Sequence, residues 1–206
     1  MSKLKDQFTL MAILLIPIGV AINLLGGTLA KQLQMWIFLD SIGTFLVAML
    51  AGPVIGLITG GLSVVLLSIQ DPTLLPWAIL ATAMGLVVGL LAQQGFFTRW
   101  GGIVAGIVIV VAASVLVSVL MSIYLYGGFT TSGISIFTGI LHDNMGLPLG
   151  LSVTISHVLG ETVDKVISIL VPVFVIRALS KRTLLKFPLG EIYVNARTRG
   201  TSDAGA

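Results

Sequence analysis

The chain has 206 residues, of which 56% are AVILMFWYC and 9% are charged, and its mean hydropathy is +1.10. Soluble domains carry about a quarter charged residues, so a soluble domain is excluded, as are disorder, collagen and coiled coil. The formal net charge is only +3; with no Cys, disulfide and thiolate chemistry are impossible, and two His do not build a typical zinc site unaided. The composition is that of an integral membrane protein.

A membrane-spanning helix needs about 20 mostly apolar residues. The first apolar run, Phe8–Ala30, follows Lys3 and Lys5 and ends in Thr28-Leu29-Ala30, which resembles a signal cleavage site. The run is too long for the apolar core of a signal peptide, so we read it as a span. The second, Trp36–Ala51, and third, Pro53–Ile69, are joined by the helix-breaking corner Gly52-Pro53. One bent helix there, giving five spans in all, is the competing reading. Then come Pro76–Gly95, Gly101–Leu125 and Leu147–Leu179. The sequence therefore predicts an all-α integral membrane bundle of six transmembrane helices. Residues 1–187 form its single domain, and the polar stretch 188–206 is expected to be a disordered cytoplasmic tail.

With both termini cytoplasmic, the inner segments hold nine basic residues: Lys3, Lys5, Arg99, Arg177, Lys181, Arg182, Lys186, Arg197 and Arg199. The outer loops hold only Lys31, and Lys165 lies within the last span. This positive-inside bias closes only for an even number of spans. Trp36, Trp77 and Trp100 fall at helix starts, as interfacial aromatics do.

A charge at the centre of a span costs roughly 2.5–3.5 kcal/mol on insertion scales, so polar residues there mark function by default. Asn23, Asp40 and Thr44, Trp77, and the stripe Ser114, Ser118 and Ser122 rising to Tyr124 and Tyr126 all fall in outer halves. His157, Glu161 and Asp164 share one face of the sixth span. The inner halves are almost purely apolar. That asymmetry predicts a pocket open outward and closed below. Between the fifth and sixth spans, the glycine-rich 127–133 segment, a short helix expected over Ile134–Leu141 and the polar trio His142-Asp143-Asn144 form a long loop of the kind that serves as a lid. Bland readings stand beside these: Glu161 and Lys165 are spaced to neutralise each other, Asp164 beside Lys165 suits a structural role, Asp40 complements a helix dipole, and the serines glue helices. Gly52, Gly56 and Gly60, Gly85 and Gly89, and Gly102 and Gly106 give close-packing faces, inside the bundle or against a partner.

The chain has no GxxxxGK[ST], HExxH or GxSxG, and no inverted repeat of broken helices. It holds a pocket but no engine of its own.

Four segments carry a resemblance: Gly19-Val-Ala-Ile-Asn23 with Gly26-Gly27; Phe38-Leu-Asp40-Ser-Ile-Gly43-Thr44 leading to Gly52-Pro53; the Gly127–Gly133 loop; and Glu161-Thr-Val-Asp164-Lys165 ahead of the Arg177–Arg182 basic end. In order and spacing, over most of residues 10–182, the chain resembles the S components of energy-coupling factor (ECF) transporters, six-helix proteins that capture vitamins and related micronutrients. The resemblance implies a substrate-capture subunit of an ABC-type importer in a prokaryotic cell membrane. Its partners would be a transmembrane coupling subunit and two ATP-binding subunits, with ATP hydrolysis in those partners and no enzyme activity or cofactor of its own. Many members carry Ala-x-x-x-Ala on the first helix for docking; here Ile16 follows Ala12, and Leu25 follows Ala21, at that spacing. The substrate-binding candidates are Asn23, Asp40, Trp77, Tyr124, Asn144, His157 and Glu161. Two rivals remain open from the residues alone: a membrane enzyme using His157, Glu161 and Asp164 for acid–base chemistry, and a stand-alone channel or carrier.

Overall fold

The structure, a computed structural model, describes residues 8–203, and these are all-helical with no strand. Lys3 and Lys5, counted above as inner cations, lie outside the described residues.

Helix α1, Leu10–Gln32, starts where the Thr9 hydroxyl accepts the Ala12 N–H at 3.2 Å. An irregular segment, residues 33–41, follows, and helix begins again only at Ile42, six residues later than the sequence suggests. Helix α2, Ile42–Ala51, stops at Gly52, whose φ of 100° suits only glycine, and Pro53 opens α3, Pro53–Leu67. A 3₁₀ turn, Pro72–Trp77, leads into α4, Ala78–Gln93. Helix α5 is Trp100–Tyr126. The short α6, Ile134–Gly139, continues as a wider turn through Ile140–Asn144 and precedes the 30-residue α7, Leu149–Ala178.

Helix α2 is the hub. It packs on α1, α3, α4 and α7, and Phe45, Val47, Ala48, Met49, Leu50 and Ala51 along it are buried. Such tight crossings depend on missing side chains. A methyl on Gly43 would collide with the Gly19 carbonyl of α1, and one on Gly85 with the Gly56 carbonyl of α3. The glycine faces of α3 and α4 therefore close the bundle internally.

Three helical stretches among the described residues are long and apolar enough to cross a membrane: Leu10–Gln32, Pro72–Gln93 and Trp100–Tyr126. Their outer faces present large apolar side chains such as Leu25, Val108 and Leu116, a surface suited to lipid. Helices α2 and α3 are apolar but shorter, 10 and 15 residues. At 1.5 Å per residue, α2 rises only about 15 Å. Helix α7 has ample length but carries Glu161, Asp164, Lys165 and Arg177.

Much of the segment expected to form a disordered tail carries helix among the described residues. Leu189 and the helix α9, Gly190–Asp203, dock beneath the bundle after the single turn α8, Lys181–Leu184. Two helix ends need partners there. The Met49 carbonyl of α2 faces Pro53 four residues on, which has no N–H; the Tyr193 hydroxyl donates to it at 3.1 Å, and the Leu189 N–H donates to the Leu50 carbonyl at 3.0 Å. Arg197 donates to the Ile176 carbonyl in the last turn of α7 at 2.6 Å and to that of Leu179, just past its end, at 2.9 Å. The polar composition read as disorder is that of a segment whose partners are backbone carbonyls.

Candidate functional site

The polar chemistry collects at the end of the bundle opposite α9. At its centre is Lys165 of α7, 3% exposed. A buried ammonium requires compensation, and α7 supplies it from its own sequence. Asp164 Oδ2 lies 2.6 Å from Lys165 Nζ, and Glu161, one turn earlier, has Oε2 at 3.3 Å. The remaining carboxylate oxygens are also occupied. Ser114 and Ser118 of α5 donate to Glu161 at 2.9 and 2.5 Å. The Phe38 and Leu39 N–H groups donate to Asp164 Oδ1 at 3.1 and 2.7 Å. Asp164 thus pins the 33–41 segment to α7, holding Leu39 at a φ of 53°, a conformation uncommon for a non-glycine residue.

That pinned segment forms one wall of a two-lobed cavity. The inner lobe, about 90 Å³, is lined by Phe38, Asp40, Ser41, Trp77, Glu161 and Lys165 among others. An outer lobe of about 360 Å³ reaches Lys31, Gln34, Gln70 and Asp71. Phe38, Asp40, Leu67, Leu74, Thr131 and Ser132 border both, so the lobes adjoin. Residues 131 and 132 belong to the glycine-rich loop, which lies over the mouth as a lid. Its tether is Asp71, which accepts from Lys31 of α1, from Thr131 of the lid at 3.2 Å and from Thr73. The Lys31 ammonium, then the Thr73 hydroxyl, hold the Asp71 carboxyl at about 2, below its ordinary 3.8.

Three sequence candidates line the cavity: Asp40, Trp77 and Glu161. His157, 1% exposed, stacks on Trp77 with ring centroids 6.5 Å apart, and its buried Nδ1 has no hydrogen-bond partner. Asn23 is fully buried and borders neither lobe. Its amide ties three elements together, donating to Thr44 and Ser63 at 2.7 and 2.9 Å and accepting the Gly43 N–H at 2.7 Å. Tyr124 is 80% exposed and borders neither lobe; Tyr126, two residues on, stacks on Trp77 at 5.6 Å. Asn144 is exposed and also lies outside both lobes. His142 of the same trio bonds the Leu147 carbonyl at 2.7 Å.

Sequence reasoning missed Lys165 as a wall residue because its i, i+4 spacing to Glu161 suggested neutralisation alone. It does neutralise, and it also borders the cavity. Ser41 was missed for want of any signal beyond its place next to Asp40. Below the site the buried core runs through Phe45, Met49, Ile55, Val88 and Ile169 to Leu184 and Tyr193. A separate cavity of about 240 Å³ near Tyr193 and Arg197 shares no lining residue with the upper one.

No protein-family model, curated protein or solved structure matches the chain.

Proposed function

We propose that this protein is the substrate-capture subunit of an ECF-type importer, taking a vitamin or related micronutrient from outside the cell membrane. In this reading the chain crosses the membrane six times, with α2 and α3 as a short, corner-linked pair and α7 as the last span. Both termini are cytoplasmic. A transmembrane coupling subunit and two ATP-binding subunits supply the energy and the inward step.

The observation that carries the reading is the lidded cavity at one end of an apolar bundle, with a closed core beneath it. Directional groups and aromatic surface on an otherwise apolar wall are what small-molecule capture needs. A channel would require polar groups along the whole length, and the lower core is Leu, Ile, Val, Met, Phe and Ala, with the Tyr193 hydroxyl bonded to the Met49 carbonyl. Of the three acid–base candidates, Glu161 and Asp164 are held by Ser114, Ser118, Lys165 and backbone N–H groups, and His157, although its Nδ1 is unpartnered, is buried and borders neither lobe, which favours binding over catalysis.

The test is transport in proteoliposomes, after mass spectrometry of small molecules that co-purify with the protein. The chain alone should retain a ligand and move none; uptake should appear only with the coupling and ATP-binding subunits and ATP. Uptake by the chain alone would establish a carrier or channel, and conversion of the ligand would establish an enzyme.

A further inference from the structure

Every charged group around the cavity is in direct ion-pair contact with an opposite charge except Asp40, which Lys165 reaches only through Ser41, its ammonium donating to the Ser41 hydroxyl at 3.4 Å. Lys31 pairs with Asp71, and Lys165 pairs with both Asp164 and Glu161. Asp40 borders both lobes, yet among the described residues no ammonium or guanidinium lies within ion-pair distance of it. Its Oδ1 accepts from the Ser41 hydroxyl at 3.0 Å. On and behind the wall stand four carboxylates, Asp40, Asp71, Glu161 and Asp164, against two ammonium groups. The inner lobe adds the rings of Phe38 and Trp77, whose π faces attract cations. A site of this sign repels an anion and favours a cation over a neutral ligand, which could offer Asp40 a hydrogen bond but no opposite charge.

We propose that the ligand is a small planar organic monocation whose positive centre pairs with Asp40 while its ring lies against Phe38 and Trp77. The assignment rests on the capture reading above and names the ligand class for that same cavity. Asp40 then acts as the counter-ion that selects by charge.

Three compounds share one ring and differ in charge: 1-methylnicotinamide is cationic, nicotinamide neutral and nicotinate anionic. Their affinities are measured by tryptophan fluorescence and thermal midpoint on the detergent-purified protein, for the wild type, Asp40→Asn and Asp40→Glu. In the wild type the cation should bind about tenfold or more tightly than the neutral ring, and the anion most weakly. Asp40→Asn should bring the cation down to the neutral compound's affinity, and Asp40→Glu should restore the preference; the thermal midpoint of each variant reports its folding. Equal or tighter binding of the neutral or anionic ring, a preference surviving in Asp40→Asn, or no binding of the cation would each overturn the assignment. Those results leave the capture reading standing, which fails separately if the chain transports or converts its ligand unaided.

Discussion

At the scale of single residues, the energetics turn on Lys165. Its ammonium is buried with two carboxylates, and removing one member of such a group leaves uncompensated charge. Lys165→Met should therefore destabilise the protein by about 3–5 kcal/mol, read as a fall in thermal midpoint in detergent. Adding Asp164→Asn should recover part of that loss, because it removes one orphaned charge. A Lys165→Met protein as stable as the wild type would mean that the carboxylates do not depend on it. Asp71 behaves differently because it sits at the mouth. Its carboxyl is depressed from 3.8 to about 2, so its contribution is complete above the higher value and disappears as pH falls through the lower one. The difference in thermal midpoint between wild type and Asp71→Asn should stay constant from neutral pH down to about 4 and shrink below that. A difference that already vanishes near neutral pH would contradict the tether. Residue type and position pointed to Asp40, Trp77 and Glu161, because polar groups in apolar spans are few. The role of Asn23 was not legible, since an amide that ties helices together and one that holds a ligand read alike along a chain. Tyr126 was legible over Tyr124, because it continues the i, i+4 stripe of Ser114, Ser118 and Ser122, whereas Tyr124, two residues away, falls on the opposite face of α5.

Among the elements, the apolar runs located each main helix, whereas the irregular 33–41 segment was hidden because Trp36–Leu39 is as apolar as the helix it precedes. What breaks the helix there is tertiary: Asp164, more than a hundred residues later, takes the Phe38 and Leu39 N–H groups. The C-terminal helix was missed for a related reason, since its anchors are the helix-end carbonyls of α2 and α7. Tyr193→Phe removes the donor to the Met49 carbonyl and should cost about 1–3 kcal/mol, the penalty for leaving a buried carbonyl unpaired. The readout is unfolding, with faster amide exchange over 189–198. If exchange there is unchanged, α9 is not held by that bond.

For the whole molecule, the arrangement separates a charged, lidded cavity at one end from an apolar core and a capped base at the other. Under the proposed capture role, selection would occur where water can enter, and leakage would be blocked where side chains close-pack. Hydropathy made this division legible in outline, since polar residues gather toward one side of the spans. It could not give the cavity's dimensions, which depend on how α2, α4, α7 and two loops meet.

The most direct test is thiol labelling, made simple because the chain has no cysteine, so each introduced one stands alone. Single cysteines at Asp40, Thr131 and Ser180 are treated with a membrane-impermeant maleimide in intact and permeabilised cells. The account predicts labelling at 131 and 40 from outside, and at 180 only after permeabilisation. Labelling of position 40 from the cytoplasmic side, or of 131 and 180 from the same face, would contradict an outward-opening cavity with a closed base.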